Sequence, residues 1–233
     1  MNTIKIDGLV GGYPEPIDGT SEWYYSQKGT DDFLDLYEAE EIVKDGHAFG
    51  GMNCHLIHFP DGEVFSPFEL RENFYVEAPV WDDGKFYFLC VDFSKKTIQI
   101  YCYYPEDKKL ELIEKLPLDC VKDCYNLKLN VSPLMLGRDA NECVFQIIWP
   151  EKISFSIGST ESLMFRDGDD LYFSEWHEDP DYHEYVIIRD FHTGEIKDKF
   201  SNAASSVFFE YAGLTVAETT ELRRKLKESD SEL

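Results

Sequence analysis

Short apolar and aromatic runs, each closed by turn residues, recur along most of the chain. That texture predicts β-strands rather than helices. Residues 85–93 (KFYFLCVDF) and 97–104 (TIQIYCYY) read as two strands separated by Ser94, Lys95 and Lys96. Ile98, Ile100, Cys102 and Tyr104 share one face of the second. Pro105, Glu106 and Asp107 end it, and residues 110–116 start a third strand. Links this short cannot make a parallel crossover, so the three strands form an antiparallel meander. The same pattern returns at 143–149, 153–157 and 162–165, and again at 185–191, 195–200 and 207–211. Near the N-terminus, residues 53–58 and 63–65 flank Pro60, Asp61 and Gly62, a hairpin signal. Residues 31–44 (DDFLDLYEAEEIVK) read two ways. Phe33, Leu36, Tyr37 and Glu40 have helical spacing, whereas a break near Glu38 allows two short strands.

A five-residue string occurs four times: WYYSQ at 23–27, FYVEA at 74–78, LNVSP at 129–133 and LYFSE at 171–175. The starts lie 51, 55 and 42 residues apart. Each opens a stretch long enough for three more strands, which allows sixteen strands in four units of four. Spacings of about 40–50 residues are those of β-propeller blades. Successive strand side chains point to opposite faces, so Tyr24, Ser26, Tyr75, Glu77, Asn130, Ser132, Tyr172 and Ser174 form one set. If the strings are equivalent inner strands, this set lies nearest a central opening and supplies the ligand-binding positions.

The string at 171–175, following Asp167, Gly168, Asp169 and Asp170, resembles the inner-strand signature of bacterial and YWTD-type propellers. Residues 189–196 (RDFHTGEI) are similar to the outer hairpin of WD-type blades. The resemblance covers most of residues 20–211 and belongs to no single propeller family. The Trp-Asp pair of WD repeats is absent, and Trp81-Asp82 falls outside the expected outer strand. The expected fold is thus mainly β: antiparallel meanders in a propeller of about four blades over residues 1–212. A β-sandwich or barrel is the alternative. Residues 213–233 change character. Thr215 and Glu218 fit a capping box, and Leu222 and Leu226 follow at i, i+4, predicting a short C-terminal helix.

Composition narrows the partners. The 233 residues carry 22 Lys plus Arg against 46 Asp plus Glu, a formal net charge of −24, with 15% aromatics. So many aromatics describe a folded chain with an acidic surface rather than an acidic disordered one. Such a charge opposes binding to nucleic acid and to anionic membranes, both of which require clustered Lys and Arg. No basic start followed by an apolar core appears at the N-terminus. Six cysteines in a chain of this size read as reduced thiols, so a cytoplasmic location is expected.

Catalytic and metal motifs add little. His177, Asp179, Asp181 and His183 carry ligand types suited to Zn²⁺ or Mn²⁺, but their spacing matches no zinc signature and a solvated loop is the simpler reading. His55 and His58 lie an odd number apart on one strand and so face opposite ways. Cys120 and Cys124 are spaced C-x₃-C, which fits neither a zinc knuckle nor a thioredoxin-like site. No phosphate loop, Gly-x-Ser-x-Gly elbow or His-Glu-x-x-His helix is present. No metal and no cofactor are expected. Glu77, the carboxylate within the first four positions of the recurrent strings, is the catalytic candidate. The expectation is a protein-interaction module for a partner with a basic patch. The alternatives are a small hydrolase acting on a glycan or other polar ligand in the central opening, and an immunity-type inhibitor of a nucleic-acid-binding protein.

Overall fold

The computed structural model describes residues 4–9, 13–30, 34–179 and 181–201. The expected strand at 207–211 and the expected helix within 213–233 lie outside the described residues. Among those residues the strands form four antiparallel sheets that follow one another in chain order.

The first sheet contains β1 (Glu15–Pro16), β2 (Trp23–Gly29), β3 (Met52–His58) and β4 (Val64–Phe65), in that order, with α1 (Leu36–Lys44) inserted between β2 and β3. The second contains β5 (Phe74–Val76), β6 (Val80–Asp82), β7 (Lys85–Asp92), β8 (Thr97–Tyr104) and β9 (Lys109–Pro117). Its order is β5-β7-β8-β9, and β6 also pairs with β7. The third is β10 (Leu127–Asn130), β11 (Met135–Ala140), β12 (Val144–Trp149) and β13 (Ile153–Ser156). The fourth is β14 (Glu161–Asp167), β15 (Asp170–His177), β16 (His183–Asp190) and β17 (Ile196–Ser201).

The sheets pack face to face through three apolar clusters. Trp23, Leu56 and Phe65 of the first sheet meet Phe74, Phe86 and Phe88 of the second. Tyr75, Leu89 and Ile100 of the second meet Leu127, Leu136 and Ile148 of the third, with Leu36 and Ala39 of α1 in the same cluster. Phe145 and Ile147 of the third meet Phe173 and Ile187 of the fourth. The architecture is a four-bladed β-propeller arrangement. Among the described residues no apolar cluster joins the first blade to the fourth.

The double-sided packing explains the sequence of β7. Phe86, Phe88 and Cys90 face the first blade, and Leu89 and Val91 face the third, so nearly every position is apolar. Each fully buried Phe or Leu stabilises the fold by about 1.5–3 kcal/mol relative to an exposed one.

Turns follow their local chemistry. Pro60, Asp61 and Gly62 do join β3 to β4, with Gly62 at φ 76°. At the β16–β17 hairpin, Gly194 has φ 72°, and a Cβ there would lie 2.2 Å from Cγ of Phe155. Only glycine fits that position. The ambiguous segment at 31–44 is helical from Leu36 to Lys44, because Asp35 and Glu38 form a reciprocal capping box.

The four recurrent strings are not equivalent. Those at 74–78 and 129–133 fall on β5 and β10, which open their blades at an edge. Those at 23–27 and 171–175 fall on β2 and β15, the second strands of theirs. An aromatic alternation serves any strand packed between two sheets, so the string marks burial and not a fixed place in the blade.

Candidate functional site

The edge of the second blade is broken where Glu77, Ala78 and Pro79 separate β5 from β6. Val76 pairs with Cys90 and Val80 with Tyr87, so four steps on the edge oppose three on β7. The surplus residue is a β-bulge, a local irregularity that re-aims side chains. Pro79, which has no N–H to give the ladder, sits where the pairing lapses. The Glu77 N–H still donates to the carbonyl of Leu89 at 2.9 Å.

This break opens into a cavity of about 440 Å³, bounded by α1, the bulge and the chain entering β10. Leu36, Val80, Leu89, Leu127 and Leu129 supply apolar wall, and Asp35, Glu77 and Lys128 supply charge. Tyr37 of α1 and Tyr125 also line it, meeting edge to face at 5.6 Å and 87°. The walls are held from behind. Asp35 Oδ1 accepts the Glu38 N–H at 2.7 Å, which fixes the start of α1. The buried Glu40 Oε2 accepts the Cys124 N–H at 2.8 Å, which ties α1 to the third blade.

Glu77 is the half-buried carboxylate of the cavity. Its Oε1 accepts the Ala78 N–H at 3.1 Å, and its other oxygen accepts no hydrogen bond among the described residues. Burial raises its pKa above the ordinary carboxylate value. The Ala78 N–H and the positive charge of Lys128 act against that rise, and the negative charge of Asp35 adds to it. Burial pushes the Tyr75 hydroxyl up as well, reinforced by Glu77 and Asp35, and that hydroxyl donates to the Leu34 carbonyl at 3.2 Å. Lys128 is exposed and makes no ion pair within 4 Å among the described residues.

Of the residues singled out in the sequence, Glu77 lines the cavity and Tyr75 lies beside it on the same blade edge. Asn130 ends β10, one residue beyond the cavity-lining Leu129. Ser132 lies in the following turn at φ 69°, its carbonyl accepting the Gly168 N–H at 3.4 Å. Tyr24 and Ser26 alternate with Trp23 and Tyr25, which pack on the second blade, and so take the opposite face of β2. The Ser26 Oγ is buried without a hydrogen-bond partner among the described residues. Tyr172 stacks on Phe165 at 4.5 Å in the fourth blade, and Ser174 lies between Ser162 and Val186. The structure therefore brings Tyr75 and Glu77 together and leaves the other pairs in separate places. The sequence pattern marks Tyr37 only as a helix position and does not single out Asp35, Tyr125 or Lys128; the Asp35–Glu38 capping-box spacing is the signal that could find the start of α1.

His177 and His183 are cross-strand partners on β15 and β16, with rings stacked at 5.2 Å. His177 Nε2 is 3.3 Å from Glu175 Oε2, and His183 Nδ1 donates to the backbone carbonyl of Asp181 at 2.6 Å. Asp179 is exposed. Among the described residues no group of three or more His, Cys, Asp or Glu side chains is disposed to hold a metal ion.

The sequence of residues 189–233 is similar to the family model described as ribosomal protein L10. No curated protein matches the chain. Solved structures similar to it include one described as the nidogen/laminin complex, at 15% identity and TM-score 0.37 over 64% of this chain and 56% of that one. The WD40 domain of SCAP from fission yeast is similar at 14% identity and TM-score 0.36, over 66% of this chain and 43% of that one. The β-propeller domain of the Trilobed protease from Pyrococcus furiosus is similar at 15% identity and TM-score 0.42, over 80% and 57%. The chain thus spans about half the length of the structures it matches.

Proposed function

We propose that this propeller is a cytoplasmic protein-interaction module that recognises a partner through a basic patch. A propeller suits interaction in general, because rigid sheets carry the loops that make contact. The observation that supports a basic partner is the net charge of −24. Many of the cations are already committed to acids of the same chain: Lys108 to Glu63, Lys197 to Asp170 and Asp190, and Arg189 to Glu161. The surplus carboxylates present a field that steers a basic surface and speeds encounter at low salt. The cysteines among the described residues are free thiols, which supports a reducing compartment.

The hydrolase reading draws on Glu77 and Asp35 lining one cavity. Asp35, however, is engaged in capping α1, and an acid–base pair needs both carboxylates free to exchange protons. Interaction is the better-supported reading.

The test is capture from native lysate on the immobilised full chain, followed by a salt step. Exposed charges interact over about 30 Å at 0.01 M salt but about 8 Å at 0.15 M. Proteins retained at low salt should be basic and should elute as salt rises. Retention of a set without basic members, or indifference to salt, would refute the reading.

A further inference from the structure

We infer that the cavity between α1, the bulged edge of the second blade and the start of the third receives one cationic side chain, lysine or arginine, of a basic partner, and that Lys128 competes with this guest. The inference rests on the interaction reading and deepens it by assigning the place where the partner anchors.

Three observations carry it. The walls are apolar over Leu36, Val80, Leu89 and Leu129, which suits the aliphatic stem of a long basic side chain. Tyr37 and Tyr125 add aromatic surface to which a cation is attracted. Glu77 offers a half-buried carboxylate with one oxygen that accepts no hydrogen bond among the described residues. A carboxylate taken out of water without a partner is costly, and a cation seated beside it relieves that cost.

Lys128 gives the arrangement its second half. It lines the same cavity and its charge acts on Glu77, yet it closes no ion pair with it. An exposed ammonium on a flexible stem is easily turned aside. A guest cation must enter against its repulsion, so removing the Lys128 charge strengthens binding while removing the Glu77 charge weakens it. A purely structural role for either residue does not produce opposite signs.

The experiment measures fluorescence anisotropy of a labelled hexalysine peptide on the full chain at low salt. A hexapeptide of Nε-acetyl-lysine serves as the neutral control. Glu77→Gln should bind hexalysine about tenfold more weakly or worse, the loss of one charge-assisted hydrogen bond. Lys128→Gln should bind about threefold more tightly or better, through relief of one like charge. Glu195→Gln, an exposed acid in the β16–β17 turn, should change affinity less than either. Wild-type binding that is salt-sensitive but unaltered by Glu77→Gln, or weakened by Lys128→Gln, overturns the cavity assignment and leaves the interaction reading standing. No hexalysine binding by the wild type at low salt overturns both. Should Glu77→Gln fail to fold, the sign of the Lys128→Gln effect still decides.

Discussion

Glu161→Gln should be among the most damaging conservative substitutions in the chain. Glu161 on β14 and Arg189 on β16 reach each other across β15, with side chains 1% and 10% exposed. Arg189 Nε donates to Glu161 Oε1 at 2.6 Å and Nη2 to Oε2 at 2.9 Å. The clasp extends at both ends: Gly158 N–H donates to Glu161 Oε2 at 2.8 Å, and Arg189 Nη1 donates to the Gly194 carbonyl at 2.9 Å. Glutamine keeps the shape but leaves a buried guanidinium without its counter-charge. Breaking one side of a buried pair costs about 3–5 kcal/mol, out of a typical total stability of about 5–15 kcal/mol. With a urea m-value near the upper end of the usual range, about 3 kcal/mol per molar, the midpoint should fall by about 1–2 M. Urea titration followed by tryptophan fluorescence reads this directly. The double variant Glu161→Leu with Arg189→Met removes both charges and should recover part of the loss, since paired replacement by apolar groups is near neutral while the Gly158 N–H and the Gly194 carbonyl lose their side-chain partners. A single variant within about 0.5 kcal/mol of wild type, a surface-like effect, or a double variant no better than the single, would refute the reasoning.

Two further outcomes follow from other parts of the molecule. Phe86 is fully buried between Trp23 and Trp81, with ring centroids 4.9 and 4.8 Å away. Phe86→Ala should cost about 3–5 kcal/mol and weaken the near-ultraviolet dichroism of the tryptophans; intact bands would show that the junction of the first two blades does not depend on it. In the β16–β17 turn, the Lys197 ammonium, with the N–H groups of Thr193 and His192, holds the Asp190 carboxyl down at a pKa of about 2. A depressed carboxylate stabilises the fold above its unfolded pKa, about 3.9, and that contribution is lost as pH falls towards about 2. Carbon-detected NMR titration should show the low midpoint, and Lys197→Ala should raise it; an unchanged midpoint would remove the ion pair as the cause.

The blades were legible because their signals are local. The runs that became β7 and β8, and the Pro60–Gly62 turn between β3 and β4, carry their own strand and turn chemistry within a few residues. What the sequence concealed is the phase of each blade. A string such as WYYSQ or FYVEA reports that two faces are packed, and both a first and a second strand satisfy that condition. With the strings at different places in their blades, Tyr24, Ser26, Tyr172 and Ser174 do not join Glu77 at the cavity. Lys128 was invisible for a different reason. Alternating with Leu127 and Leu129, it reads as the solvent face of a strand, and only the neighbouring blade turns that face towards a carboxylate.

The position of Glu77 shows how a β-sheet places a carboxylate half inside with no ion pair among the described residues. On an unbroken edge, the alternation that buries Tyr75 in the cluster with α1 and the third blade would carry Glu77 into the same apolar layer. There its charge would face Leu89 and Leu127 with no counter-charge, which proteins avoid. The extra residue and Pro79 break the edge at that point, and a cavity lies there in place of packed side chains. The carboxylate is left partly exposed there instead of facing apolar protein. The break in the strand, the raised pKa and the nearby Lys128, which closes no ion pair among the described residues, are therefore one arrangement, and the acid tolerated there is the acid a cation can reach.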